Sequence, residues 1–72
     1  MEAFERLRQI REERGYDVKT VAEILGVRER QILRWERGEN RMKFSKYVEL
    51  ARFYGLSLDY IVGLIDEPMS LE

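Results

Sequence analysis

Cysteine and histidine are both absent from this sequence of 72 residues. Their absence excludes a thiol nucleophile, an imidazole base, a disulfide framework and a zinc site built from the usual ligands. The sequence also offers no nucleophile paired with a base, no glycine-rich phosphate loop and no cluster of metal ligands. We therefore expect a protein that is not an enzyme and that uses no cofactor or metal ion.

Long apolar runs are missing as well. The longest uninterrupted apolar stretches are only a few residues, the sequence is charged from Glu2 onward, and nothing in it resembles a signal peptide or a membrane span. We expect a cytoplasmic protein that makes no membrane contact. Because 72 residues form only one small domain, any function must lie on one compact unit.

Neither sign of charge is in large excess overall, but the basic and acidic residues are unevenly distributed along the sequence. Thirteen Lys and Arg residues against fourteen Asp and Glu residues give a formal net charge of -1. Residues 28–46 nevertheless contain seven basic and three acidic side chains, a net charge of +4, whereas residues 47–72 carry a net charge of -4. A basic middle and an acidic end predict a protein with two different faces.

Apolar residues recur at helical spacing, and no segment alternates with period two for long enough to predict a strand. Asp17 and Ser57 are suitable helix N-caps, and glycines stand where helices should stop. The predicted fold is an all-α, compact domain of five helices over residues 1–66, followed by a short tail, 67–72. The five helices are expected at about 2–14, 18–25, 29–37, 44–54 and 58–64, with a polar loop at 39–43.

The expected core takes at least one apolar residue from every helix. Helix four should turn Phe44, Ala51, Tyr54 and either Val48 or Tyr47 inward. Trp35 is expected to pack in the core and not to stack on a base, because it shares a helix face with Ile32. The full expected core consists of Phe4, Leu7, Ile10, Val21, Leu25, Ile32, Trp35, Leu50, Leu56 and Ile61.

The spacing of residues 18–37 has a physical cause. Two helices that cross steeply through a tight turn need a small residue at the crossing, which Ala22 supplies. They also need a residue in the turn that tolerates a positive φ, which Gly26 supplies. If Val27, Ile32 and Trp35 fill the space between the two helices, the outer face of the second helix is left free.

Two segments carry a resemblance to a known family. They are GYDVKTVAEILGVRERQILRWERGEN and, further along, VELARFYGLSLDYIVG. Together they strongly resemble the helix-turn-helix family of phage repressors and Cro proteins, also called the xenobiotic-response-element family, from about Leu7 to Gly63. The resemblance implies a five-helix domain, usually dimeric, that binds double-stranded DNA with its third helix in the major groove and regulates transcription.

The resemblance also implies which side chains contact DNA. The base contacts would be Glu29, Arg30 and Arg34, with Gln31 and Leu33 beside them. Arg binds guanine O6 and N7, Glu accepts from cytosine N4, and Leu meets a thymine methyl group, so we expect a site rich in G·C pairs. The phosphate contacts would come from Lys19, Arg28, Arg37, Asn40, Arg41, Lys43 and Lys46.

Two further expectations concern structure and assembly. By family position, Arg11 would form an ion pair with Glu36, which ties helix one to the end of helix three. The last helix has more apolar residues than it needs to cover its own core, which predicts a two-fold homodimer. The residues assigned to that interface are Leu58, Ile61, Leu64 and Ile65.

Alternative interpretations stay open at this level. Taken alone, a row of charges on a helix is more often a solvated face, and only the helix-turn-helix context favours DNA contact. The leading function is a sequence-specific transcriptional regulator, most simply a repressor. The alternative is an antitoxin-like interaction module, in which the acidic C-terminal half binds a protein partner and DNA binding serves autoregulation.

Overall fold

The computed structural model describes residues 1–67 and confirms the all-α prediction, with five helices and no strand in that range. The helices are α1 (Ala3–Glu13), α2 (Val18–Leu25), α3 (Glu29–Glu36), α4 (Phe44–Tyr54) and α5 (Leu58–Ile61). α3 packs on α1 and α2, α4 packs on α2, and α5 packs on α1 and α4. The predicted tail lies outside the described residues except for its first residue, Glu67.

The predicted N-caps of α2 and α5 are present. The Asp17 Oδ1 atom accepts from the backbone N–H of Thr20 at 2.8 Å, and the Ser57 hydroxyl oxygen accepts from the N–H of Tyr60 at 3.3 Å. Each cap satisfies an amide that has no partner within the helix. The hydrogen bond from Thr20 also lowers the pKa of the Asp17 carboxyl group, because it stabilises the charged form.

α5 is shorter than predicted and ends at Ile61 instead of Leu64. The reason is Gly63, which adopts a φ of +85° in the left-handed region. Its N–H group bonds to the Tyr60 carbonyl at 3.1 Å, and the N–H of Leu64 bonds to the Asp59 carbonyl at 2.9 Å. These bonds close the last turn, so the chain leaves the helix at this point.

The core lies between all five helices and contains nine of the ten residues expected there, together with Ala22, Met42, Ala51, Tyr54 and Tyr60. Phe4 is the exception: it is half-buried, with its ring against Gly38. Phe44 was also expected inward, but it is 69% exposed: it is the first residue of α4, and the buried residues Leu50, Ala51 and Tyr54 all lie in the second half of this helix. Val48 and Tyr47 are both half-buried.

Two burials contradict the polarity of the local sequence. Met42 is 7% exposed although it belongs to the predicted polar loop, because the loop folds its side chain back into the core. Arg6, on the expected polar face of α1, is 2% exposed. Its guanidinium lies 3.9 Å from the centre of the Tyr60 ring and 3.4 Å from an Asp66 carboxylate oxygen. The cation is thus stabilised by an aromatic face and a counter-ion.

Within residues 1–67, no helix has both the length and the apolar character needed to cross a membrane. The same residues contain no group of three or more Asp or Glu side chains arranged to hold a metal ion.

Candidate nucleic-acid interface

α2 and α3 are joined by a short turn whose geometry depends on Gly26. This glycine has a φ of +68°, a left-handed conformation that costs other residues about 1–2 kcal/mol. The N–H of Val27 donates to the Ala22 carbonyl at 3.0 Å, and the N–H of Gly26 donates to the Glu23 carbonyl at 3.3 Å. Ala22 is 3% exposed. The left-handed conformation predicted for Gly26 is confirmed, and the small residue expected at the crossing is buried.

α3 has one buried side and one exposed basic side. Ile32 and Trp35 are buried at 3% and 8% exposure and anchor the helix in the core. Arg30 and Arg34 are exposed one turn apart on the opposite side of the helix. Because no described residue pairs with either guanidinium, both are available to an acceptor outside the chain.

The other expected base-contacting residues lie around these two arginines. Glu29 is exposed at the first position of α3. Gln31 is half-buried, and its amide nitrogen lies 3.4 Å from the Asn40 side-chain oxygen. Leu33 is 37% exposed and borders a shallow depression together with Arg8 of α1, so it lies at the margin of the basic face.

Most of the expected phosphate contacts are exposed at the ends of the two helices. Arg28 is the N-cap residue of α3 and makes no capping hydrogen bond with its side chain, so the guanidinium is free to contact a ligand. Arg37 lies 3.4 Å from a Glu39 carboxylate oxygen, and such an exposed pair is weak. The remaining exposed members of the set are Lys19 at the start of α2 and Asn40, Arg41 and Lys43 in the loop after α3.

Lys46, the last of the expected phosphate contacts, has partners within its own chain. Its ammonium donates to the Leu25 carbonyl oxygen at 2.7 Å and lies 3.1 Å from a Glu49 carboxylate oxygen. The side chain is 26% exposed. The nitrogen is therefore engaged inside the chain, at the end of α2.

Arg11 and Glu36, which were expected to pair, form a bidentate ion pair. Arg11 Nε lies 2.7 Å from Glu36 Oε2, and its Nη2 atom lies 3.0 Å from Glu36 Oε1. A third bond runs from Arg11 Nη1 to the Tyr16 carbonyl at 3.0 Å. The hydrogen bond to Glu36 raises the pKa of Arg11, and burial raises the pKa of the neighbouring Tyr54 to about 12. Glu36 therefore faces α1.

The expected dimer surface needs one correction. Ile61 is 0% exposed and belongs to the core, so it has no surface to give to a second copy. Leu58 and Ile65 are half-buried and pack against the core with part of their surface. Leu64 is 75% exposed and is the one member of the set that projects fully from the described chain.

Three comparisons with known proteins identify the class to which this arrangement belongs. The family model described as helix-turn-helix matches residues 7–61. The uncharacterized HTH-type transcriptional regulator YobD of Bacillus subtilis is 36% identical over 64 residues, which are 89% of this chain and 57% of YobD. A putative HTH-type transcriptional regulatory protein of Thermococcus kodakarensis is 35% identical over 54 residues, which are 75% of this chain and 17% of that protein.

The fold is also similar to a solved structure. The crystal structure of a transcriptional regulator from Listeria innocua matches with a TM-score of 0.83 and 30% sequence identity, covering 92% of this chain and 62% of that one. The chain thus spans less than two thirds of each of these relatives. It belongs to the helix-turn-helix family of the phage repressor and Cro type.

Proposed function

We propose that this chain binds double-stranded DNA through α3 and regulates transcription, most simply as a repressor that occupies an operator. The proposal depends above all on Arg30 and Arg34, which are exposed and unpaired on the side of α3 opposite its buried anchors Ile32 and Trp35. A helix held in this way can enter the major groove without losing its packing. Family membership and the names of the relatives support the same function.

The chemistry of the α3 side chains favours G·C pairs. Arg30 and Arg34 are each able to bind one guanine through O6 and N7, and Glu29 is able to accept from cytosine N4. Leu33, at the margin, has enough exposed surface to meet one thymine methyl group. We assign Gln31 a smaller part, because its amide group faces Asn40.

The phosphate contacts in this proposal surround the α3 face. Lys19 lies near the start of α2, Arg28 precedes α3, and Arg37 follows it. Asn40, Arg41 and Lys43 extend the same basic surface into the next loop. Such contacts fix the register of the protein on DNA and make its affinity fall with salt. The overall charge of -1 does not oppose this, because charges further than about 10 Å from the interface are screened at ordinary salt.

Amide chemical shifts of the labelled protein, followed by NMR during titration with duplex DNA, test this surface. We expect the large shift changes within residues 17–20 and 28–43. A double substitution of Arg30 and Arg34 by Ala should weaken binding much more than the same substitution of Arg8 and Arg52. Shift changes confined to α4 and α5, or none at all, would contradict the proposal.

We further propose that two copies act together through Leu58, Leu64 and Ile65, which would place two copies of α3 one duplex turn apart. The exposed side chain of Leu64 supports this assignment. Sedimentation equilibrium should give a dimer mass for the wild type and a lower fraction of dimer for Leu64→Ser. A monomer at high concentration that also binds DNA without self-association would contradict it.

The proposed DNA-binding role also supports the cytoplasmic location expected from the sequence.

A further inference from the structure

α3 is fixed to the rest of the domain at two places outside its own packing. At its C-terminal end, Glu36 is bound by Arg11 of α1. At its N-terminal end, the turn that leads into it follows directly on Leu25, whose carbonyl oxygen accepts from the Lys46 ammonium of α4 at 2.7 Å. One cation therefore binds the last residue of α3, and another binds the last residue of α2, just before the turn that leads into α3.

The contact of Lys46 fills a specific need of α2. The last carbonyl groups of a helix have no partner within the helix. The backbone N–H of Val27 satisfies the Ala22 carbonyl, and that of Gly26 satisfies the Glu23 carbonyl. The Leu25 carbonyl receives its hydrogen bond from Lys46, and the positive charge is also favoured by the dipole at this end of α2.

Glu49 is a second partner of Lys46. Its carboxylate lies 3.1 Å from the Lys46 ammonium, one turn further along α4. The ammonium thus has two acceptors of the same chain within hydrogen-bonding distance, whereas Lys43, three residues earlier and exposed, has no ion-pair partner among the described residues. The two lysines are close in sequence and differ in what they bind.

We infer that Lys46 is a positioning residue, which holds the turn between α2 and α3 against α4 and so fixes where α3 meets DNA. The inference rests on the proposed DNA-binding function for its effect on recognition. Lys46 does not itself contact a phosphate. It acts through Leu25 and the turn, and its loss displaces the arginines of α3 without removing a charge from the DNA interface.

Three variants test the inference: Lys46→Met, Lys46→Arg, which keeps a cationic donor, and Lys43→Met as the matched control. Each is compared with the wild type in binding to a selected operator and to an unrelated duplex of equal length, over a range of salt concentrations. The melting temperature and the hydrogen exchange of the Gly26 and Val27 amides are measured on the free proteins, well below the midpoint of unfolding.

Lys46→Met should lower the melting temperature by about 4–8 °C. It should also speed exchange at both turn amides and reduce the ratio of operator to unrelated binding about tenfold, as one weakened base contact would. The salt dependence on the unrelated duplex should not change. Lys46→Arg should recover most of the preference for the operator over the unrelated duplex. It should also recover most of the protection of the two turn amides from exchange. Lys43→Met should instead reduce the slope of log affinity against log salt concentration by about one, and it should leave the hydrogen exchange of the turn amides unchanged.

Two results would overturn the inference. A salt slope reduced by about one in Lys46→Met, with wild-type exchange and melting temperature, would make Lys46 a phosphate contact. A lower melting temperature with unchanged exchange and binding ratio would make it a stabilising residue only. If the wild type prefers no duplex, the proposed function fails, and the exchange of the turn amides alone decides whether Lys46 holds the turn.

Discussion

Arg11 and Glu36 are joined by two parallel hydrogen bonds, of 2.7 and 3.0 Å, although their side chains are only 12% and 6% exposed. The pair connects the last turn of α1 to the last residue of α3. Removing one partner would leave the other charge buried without compensation, which is the costly case for a buried ion pair.

Arg11→Met should therefore destabilise the domain by about 3–5 kcal/mol, measured by urea unfolding. The control is Arg8→Met, which breaks the exposed pair of Arg8 with Glu12 and should cost at most about 1 kcal/mol. Replacing Glu36 by Leu in the Arg11→Met background should restore part of the loss, because no buried charge remains. Equal stability of the two single variants would refute the structural role of the pair.

Gly26→Ala tests the turn between α2 and α3. A Cβ atom at Gly26 would meet no other atom within 4 Å, so its cost comes only from the positive φ. We expect a loss of about 1–2 kcal/mol in the free energy of unfolding. Gly26→Asn should cost less, because Asn tolerates the left-handed region better. An Ala variant as stable as the wild type would mean that the turn does not require this conformation.

The raised pKa of Tyr54 predicts that the stability of the fold decreases at alkaline pH. Burial raises its pKa in the folded protein from 10 to about 12, so folding favours the neutral phenol. The stabilisation is complete below pH 10 and is lost as the pH rises towards 12. Tyr54→Phe, which cannot ionise, should show a smaller fall in melting temperature over this range. If both proteins lose stability equally between these pH values, the raised pKa is wrong.

Arg34→Ala should weaken binding to the preferred operator by about 1–3 kcal/mol and relax the preference at one base pair. Arg52→Ala is the control, since it removes the same charge from an exposed position near the end of α4. It should leave the operator preference unchanged. Fluorescence anisotropy with the operator and with single-base variants measures both effects. An Arg34→Ala protein that binds the operator as tightly as the wild type would remove Arg34 from the base contacts.

Local signals in the sequence predicted much of this fold. Asp17 and Ser57 begin helices because their side chains can accept from backbone amides of the first turn, and Gly26 ends one because it has no Cβ atom. Such effects depend on a few neighbouring residues. The burial of Met42 and Arg6 could not be predicted in the same way, because each depends on residues that are distant in sequence and meet only in the folded chain.

The candidate site also combines features that the local sequence predicts with features that depend on residues distant in sequence. The exposed side of α3 follows from helical periodicity once Ile32 and Trp35 are placed in the core. The partner of Lys46 does not follow from its sequence neighbourhood, since Leu25 is 21 residues away. A basic side chain near a predicted interface has two possible acceptors, a phosphate or a carbonyl of its own chain. The structure shows one of these acceptors, the Leu25 carbonyl oxygen, at 2.7 Å from the Lys46 ammonium.

The central claim, that α3 reads a DNA sequence, is tested most directly by selecting bound duplexes from a randomised pool at moderate salt and sequencing them. We expect an enriched, G·C-rich site with two inverted half-sites about one helical turn, or 10–10.5 bp, apart. The protein with both Arg30 and Arg34 replaced by Ala should lose that enrichment. If the folded wild-type protein enriches no sequence, Arg30 and Arg34 are ordinary surface residues, and the account of α3 as a DNA-reading helix is wrong.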